Sequence, residues 1–424
     1  MSKKSKLKLM RSACEQIGTK ILPFIFFSLP LLPKASSILV ILYVLVILIS
    51  FKKRYFRNLL EKKDLLLYMG LYVLLILGLT YTIDSETGLL KVQTQFSLFI
   101  FPLILGGQRL SGKARQKCLN YFIVGLVVAA VVCLSNAVYR GISQGSFYVL
   151  DAFDRPNSIF FYQEFSSLLD LHPTYFSLYL GVGLFCLMDK AVLKQKWNPS
   201  VKILLFILFF TVLFLTSSKA GILSFVAVAL VFYVYNMITK KRKVYFGILL
   251  LILGGVLVMY SVNPVVYNRS AQALTSFNKA FFEDKHSNES TSIRFHLWLL
   301  SLKTAKESFI FGYGTGSTWE VLNQNCLQVY AFSTCETLRN KNSHNQYLNF
   351  LVSNGIVFVL GFVLALAIGL KRAFRNRDIL LMLFLLFMSL NFLFESLLQR
   401  ERGIVFFMAF VVMLSVSSRS VPGK

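Results

Sequence analysis

Several residues have types and spacings suited to chemistry. The run Asn342-Ser343-His344-Asn345-Gln346-Tyr347-Leu348 places an imidazole among polar neighbours just before a long apolar stretch. An imidazole titrates near neutrality and can take a proton from a hydroxyl nucleophile. A histidine capping its own helix is the competing reading, and spacing leaves both open. Upstream, Thr291 or Ser292 can cap a helix on which Arg294 and Trp298 share one face, while Phe295, Leu299 and Leu302 form an apolar stripe. Arg294 is thus either an anion contact or a snorkelling residue. Gly312, Gly314 and Gly316 alternate in F-G-Y-G-T-G-S, where exposed amides could form a nest for phosphate oxygens. It is not a nucleotide loop, because no strand precedes it and no Gly-Lys-Ser/Thr follows. Glu395, with Arg400 and Arg402 close behind, is a salt-bridge partner or a site residue, since acids at the edge of an apolar run are costly alone. His172 in L-H-P-T-Y and Lys219 in T-S-S-K complete the set.

The elements that must position these residues are membrane helices. Of 424 residues, 56% are apolar and only 15% charged, and Phe alone contributes 41. A soluble chain of this length needs far more polar surface, which excludes a cytosolic enzyme, a disordered protein and a small disulfide scaffold. Apolar runs occupy 17–32, 35–51, 65–81, 89–106, 118–138, 175–188, 201–215, 221–238, 244–262, 348–370, 379–394 and 403–416. They are continuous rather than alternating, so a β-barrel is excluded. The first run carries Lys20, Pro23 and Pro30. It follows a basic start without a small-residue cleavage site, and is expected to stay as a helix. The fold class expected is an all-α polytopic bundle of about twelve transmembrane helices. The bundle spans 1–262 with helices one to nine, a large outer loop spans 263–347, and helices ten to twelve fill 348–424.

The formal charge of +26 taken alone suggests nucleic acid. Its distribution indicates a membrane instead. With the N-terminus inside, clusters such as Lys52-Lys53-Arg54, Lys240-Lys241-Arg242-Lys243 and Lys371-Arg372 all fall on the inner side. Both termini are then cytoplasmic, and no nucleic-acid partner is expected. The four histidines (His172, His286, His296 and His344) fall outside, as do Arg269, Arg294, Arg400 and Arg402. Cys326 and Cys335 share the large outer loop, where an oxidising exterior favours a disulfide between them. No D-x-D, histidine cluster or G-x-S-x-G elbow occurs, Asp151 and Asp154 being the nearest approach to a metal motif. Neither metal nor cofactor is expected.

The ordered set of Arg294 with Trp298, Gly312-x-Gly314, and His344-Asn345-x-x-Leu348 entering a helix resembles the O-antigen ligase / O-antigen polymerase superfamily of bacterial membrane glycosyltransferases. The resemblance runs over nearly the whole chain. It implies transfer of a glycan from a polyprenyl (undecaprenyl) diphosphate carrier to a lipid or glycan acceptor. The transfer would take place on the periplasmic face of the inner membrane, among membrane lipids and without metal. By position, Arg294 and His344 match the family's functional Arg and His, and Ser218-Lys219-Ala220 falls where the family often has an Arg. Arg294, supported by Lys219 and Arg269, would meet the diphosphate, and His172, Gly312, Gly314, Asn345 and Trp298 would line the substrate site. His344 is the expected base and Glu395 the reserve. Ligase and polymerase remain alternatives within the family. A polysaccharide or lipid transporter is the rival of another class, disfavoured because the span centres carry almost no charge.

Overall fold

The apolar runs fold as helices because a backbone in hydrocarbon must satisfy its own hydrogen bonds. The computed structural model describes residues 3–150, 156–188, 198–240 and 290–416, with isolated positions between 250 and 261. The first half of the chain supplies α1 (Lys3–Ser28), α2 (Pro33–Ser50), α3 (Lys53–Leu60), α4 (Lys63–Leu77), α5 (Ser85–Thr94), α6 (Ser97–Leu105) and α7 (Gly112–Ser143). A three-residue hairpin pairs Tyr148–Leu150 with Pro156–Ser158. Then come α8 (Tyr162–Ser166), α9 (Pro173–Met188), α10 (Pro199–Leu215) and α11 (Lys219–Lys240). An outer layer of α12 (Ser290–Ala305), α13 (Thr318–Cys326) and α14 (Phe332–Leu338) precedes α15 (Gln346–Arg375), α16 (Ile379–Phe392) and α17 (Glu401–Val416).

The all-helical expectation holds, but the number of spans is coarser than the twelve expected. Among the described residues five helices are long and apolar enough to cross a bilayer, or seven if each of two sharply bent pairs counts as one span. The difference has local causes. α10 and α16 are only 17 and 14 residues long, and α2 meets α3 at a bend of 110°. The run 244–262 lies largely outside the described residues, as does 263–289 of the expected outer loop.

Phenylalanine explains the centre of the bundle. From Gly403 to Leu414 every residue of α17 is buried, as is Phe176 to Leu187 of α9. A helix apolar all round is stable inside a bundle or against lipid, and the burial of these two places them inside the bundle. Phe406, Phe407 and Phe410 meet Phe122, Phe384, Phe392 and Tyr179 in edge and stacked pairs 4.6–6.1 Å apart.

The two ends of the bundle differ in chemistry. At one end α7 and α16 begin and α15 finishes, tied by Arg115 to Asp378 (2.9 Å) and Arg372 to Asp64 (2.6 Å). At the other end α9, α11, α15 and α17 begin, and there the outer layer docks. That layer has its own small core of Leu297, Leu300, Leu322 and Leu338. A disulfide joins Cys326 to Cys335 with Cα atoms 5.7 Å apart.

Candidate functional site

The loop that joins α12 to α13 fixes the outer layer on the bundle. Gly314 has φ +97°, and a Cβ there would lie 2.5 Å from the Thr82 Cα. The Gly312 amide donates to Ser308 O, Tyr313 to Val352 O (3.0 Å), Gly314 to Ser353 O (2.8 Å) and Thr315 to Gly78 O. These bonds meet α15 where Gly355 breaks its helical geometry with φ +72°. They also correct the expectation of a phosphate nest at Gly312 and Gly314. The amides are spent inside the protein, and the glycines are there because two backbones approach closely.

With the layer so placed, three side chains distant in sequence converge. Arg294 on α12 donates from Nη2 to Glu395 Oε1, and His344 Nδ1 lies 3.0 Å from Glu395 Oε2. Each is held from its own element. Ser301 on α12 donates to Ser343 Oγ (2.8 Å), setting the segment before His344. His344 sits at φ +42°, its amide donating to Asn342 Oδ1 at 2.9 Å. That left-handed backbone is costly for a non-glycine residue, and such strain concentrates at functional sites. Asn345 then caps α15, its Oδ1 accepting from the Tyr347 and Leu348 amides. Gln346 Oε1 accepts from the Leu398 amide at 2.7 Å, which ties the segment carrying Glu395 to the same helix start.

Burial would raise the Glu395 carboxyl, but the hydrogen bond to His344 and the Arg294 charge outweigh it and hold the group below its usual 4.5. An ionised carboxylate only accepts hydrogen bonds, so the proton between the two residues belongs to His344 Nδ1. A neutral imidazole then carries its lone pair on Nε2.

The three residues share the wall of an open cleft of about 1230 Å³. His172 lines it too, its Nδ1 accepting from the Thr174 amide at 3.3 Å. Ser396 Oγ is buried in the wall without a partner among the described residues. Lys219, Trp298 and Asn345 stand back from the cleft. Lys219 lies outside the lining and donates to Thr291 Oγ1 (3.3 Å) on the first turn of α12, one turn from Arg294. Trp298 packs on Phe394, with ring centroids 6.4 Å apart, beside Glu395. Asn345 is occupied in capping, and Arg269 lies outside the described residues. Lys91, Asp170, Trp319 and Gln399 line the cleft and had not been singled out in the sequence. Lys91 had a legible signal, a lone charge inside the apolar run 89–106.

A polytopic helical membrane protein with a charged, water-accessible cleft at one end of its bundle defines the class. Residues 204–363 match a family model described as O-antigen ligase, so this stretch of the chain is similar to that family. The matched stretch contains Lys219, Arg294 and His344, whereas Glu395 lies beyond it. No curated protein matches the chain.

Proposed function

We propose that the chain is a ligase-type membrane glycosyltransferase. It moves a glycan from a polyprenyl diphosphate carrier to a lipid A-core or similar acceptor at the periplasmic face of the bacterial inner membrane. In this reading the bundle crosses the bilayer twelve times with both termini cytoplasmic, and the cleft opens outward. The observation that carries it is the chain of contacts from Arg294 through Glu395 to His344 in a cleft large enough for a sugar and a diphosphate.

The chemistry follows from the atoms. An acceptor hydroxyl attacks the anomeric carbon while the bond from that carbon to the diphosphate oxygen breaks. The hydroxyl proton passes to His344 Nε2, and the bonding electrons leave with the diphosphate. One displacement inverts the anomeric centre. Glu395 holds the imidazole tautomer and stabilises the imidazolium as it forms, so it is a positioning residue rather than the base. Arg294 supplies positive charge where the leaving group gains negative charge, in place of a metal. Lys219 supports this by holding the start of α12.

The test is the purified full-length chain in lipid nanodiscs with a polyprenyl-diphosphate oligosaccharide and a separate acceptor. The reading expects glycan on the acceptor and free carrier diphosphate. Glycan added instead to a second carrier-linked chain would make the protein a polymerase. Carrier movement without bond cleavage would make it a transporter.

A further inference from the structure

The cleft contains a second pair of cations that the reaction above leaves idle. Lys91 on α5 and Arg400, just before α17, both line it. Lys91 belongs to a stretch, Ser85–Leu105, long and apolar enough to cross a bilayer, where a charge without compensation is costly. Its Nζ lies 5.5 Å over the Trp319 ring.

Three of the four carboxylates that line the cleft are paired with other cations, and the fourth, Glu401, has a serine hydroxyl as its partner. Glu395 serves Arg294 and His344, Asp170 pairs with Arg402 at 3.1 Å, Glu164 pairs with Arg140 at 2.9 Å, and Glu401 accepts from Ser37. Among the described residues neither Lys91 nor Arg400 makes an ion pair. Two cations that line one cleft, neither in an ion pair among the described residues, repel each other, and an anion between them removes that cost. Arg294 shares its charge with Glu395, so a diphosphate gains from further cations in the cleft.

We propose that Lys91 and Arg400 form a separate seat for a diphosphate group, with Trp319 steadying the lysine. The inference rests on the donor class proposed above. Gln399 and Ser396, on the segment between Arg400 and Glu395, line the path from this seat to the reacting end. The seat grips the phosphates, and the Arg294 group acts on the bond that breaks.

The test measures binding of farnesyl diphosphate, inorganic diphosphate and farnesol to the full-length chain in nanodiscs. Lys91→Gln and Arg400→Gln should each weaken farnesyl diphosphate binding about tenfold or more, the loss of one charge-assisted hydrogen bond. Lys91→Arg should bind within about threefold of the parent. Farnesol binding should not change, and melting temperatures check that each variant folds. Farnesyl diphosphate binding well above inorganic diphosphate supports a seat for the carrier, and equal binding supports one for released diphosphate. Parent-like farnesyl diphosphate binding in both glutamine variants would overturn the seat. Intact binding with no glycan transfer by the parent chain would instead overturn the transfer reading and leave the seat standing.

Discussion

Replacing Glu395 with Gln removes one charge and keeps the shape, so it isolates what the carboxylate does for His344. In the parent, Glu395 accepts from Arg294 on one oxygen and from His344 Nδ1 on the other at 3.0 Å. A glutamine can keep only one of these acceptors, because its amide nitrogen faces a donor at the other. The bond to the developing imidazolium is charge-assisted and worth about 1.5–3 kcal/mol, or roughly ten- to 150-fold in rate. Glu395→Gln should therefore lower kcat for glycan transfer by about that factor with KM nearly unchanged. His344→Ala, which removes the base itself, should cost roughly 10²–10⁴-fold. The decisive variant carries both changes. If Glu395 acts through His344, the double variant is no slower than His344→Ala alone. Initial rates with a carrier-linked oligosaccharide donor, resolved by chromatography of the released carrier, measure all four chains. A further tenfold loss in the double variant would refute the reasoning, because Glu395 would then act on the substrate independently.

Arg294→Lys keeps a charge but not a fork, and should lower kcat more than it raises KM, as steady-state kinetics against the same donor would show. The acid stability of the cleft follows from Glu395. Its carboxyl is depressed in the folded chain, so its contribution is full above the ordinary value of 4.5 and is lost as pH falls through the lower folded value. The melting-temperature gap between the parent and Glu395→Gln should therefore be constant above the ordinary value of 4.5 and close as pH falls through the lower folded value, as read by scanning fluorimetry. Gly314→Ala should destabilise the chain by about 1–3 kcal/mol or more, since φ +97° disfavours a side chain and the Thr82 backbone blocks it. Equal unfolding midpoints for the two chains would contradict that assignment. Cys326→Ser with Cys335→Ser opens a short loop and should cost about 2–3 kcal/mol, read as a lower melting temperature.

Much of this architecture was legible because hydrocarbon leaves the chain few options. Continuous apolar runs with basic clusters on alternate loops gave the helices, and outside 244–262 each run coincides with a helix or helix pair. Span counts were less legible. Run length cannot reveal that α10 and α16 stop at 17 and 14 residues or that α2 and α3 meet at a bend of 110°. In the cleft, Arg294, His344 and Glu395 were legible as types of residue at the ends of apolar runs, whereas their meeting depends on contacts between segments far apart in sequence. The glycine loop was misread for the same reason. Alternating glycines signal close backbone approach, but the sequence does not say whether ligand or protein makes it. Here it is Val352, Ser353 and Gly78. Lys91 was overlooked because a single charge was averaged into an apolar run, where its cost should have marked it.

The central claim is that His344 Nε2 takes the proton from the acceptor. Chemical rescue tests it most directly. His344→Gly opens a space for a free base, and the full-length variant should transfer glycan at no more than about a hundredth of the parent rate. Added imidazole should restore part of that rate in a concentration-dependent way. Transfer at the parent rate without imidazole would contradict the account.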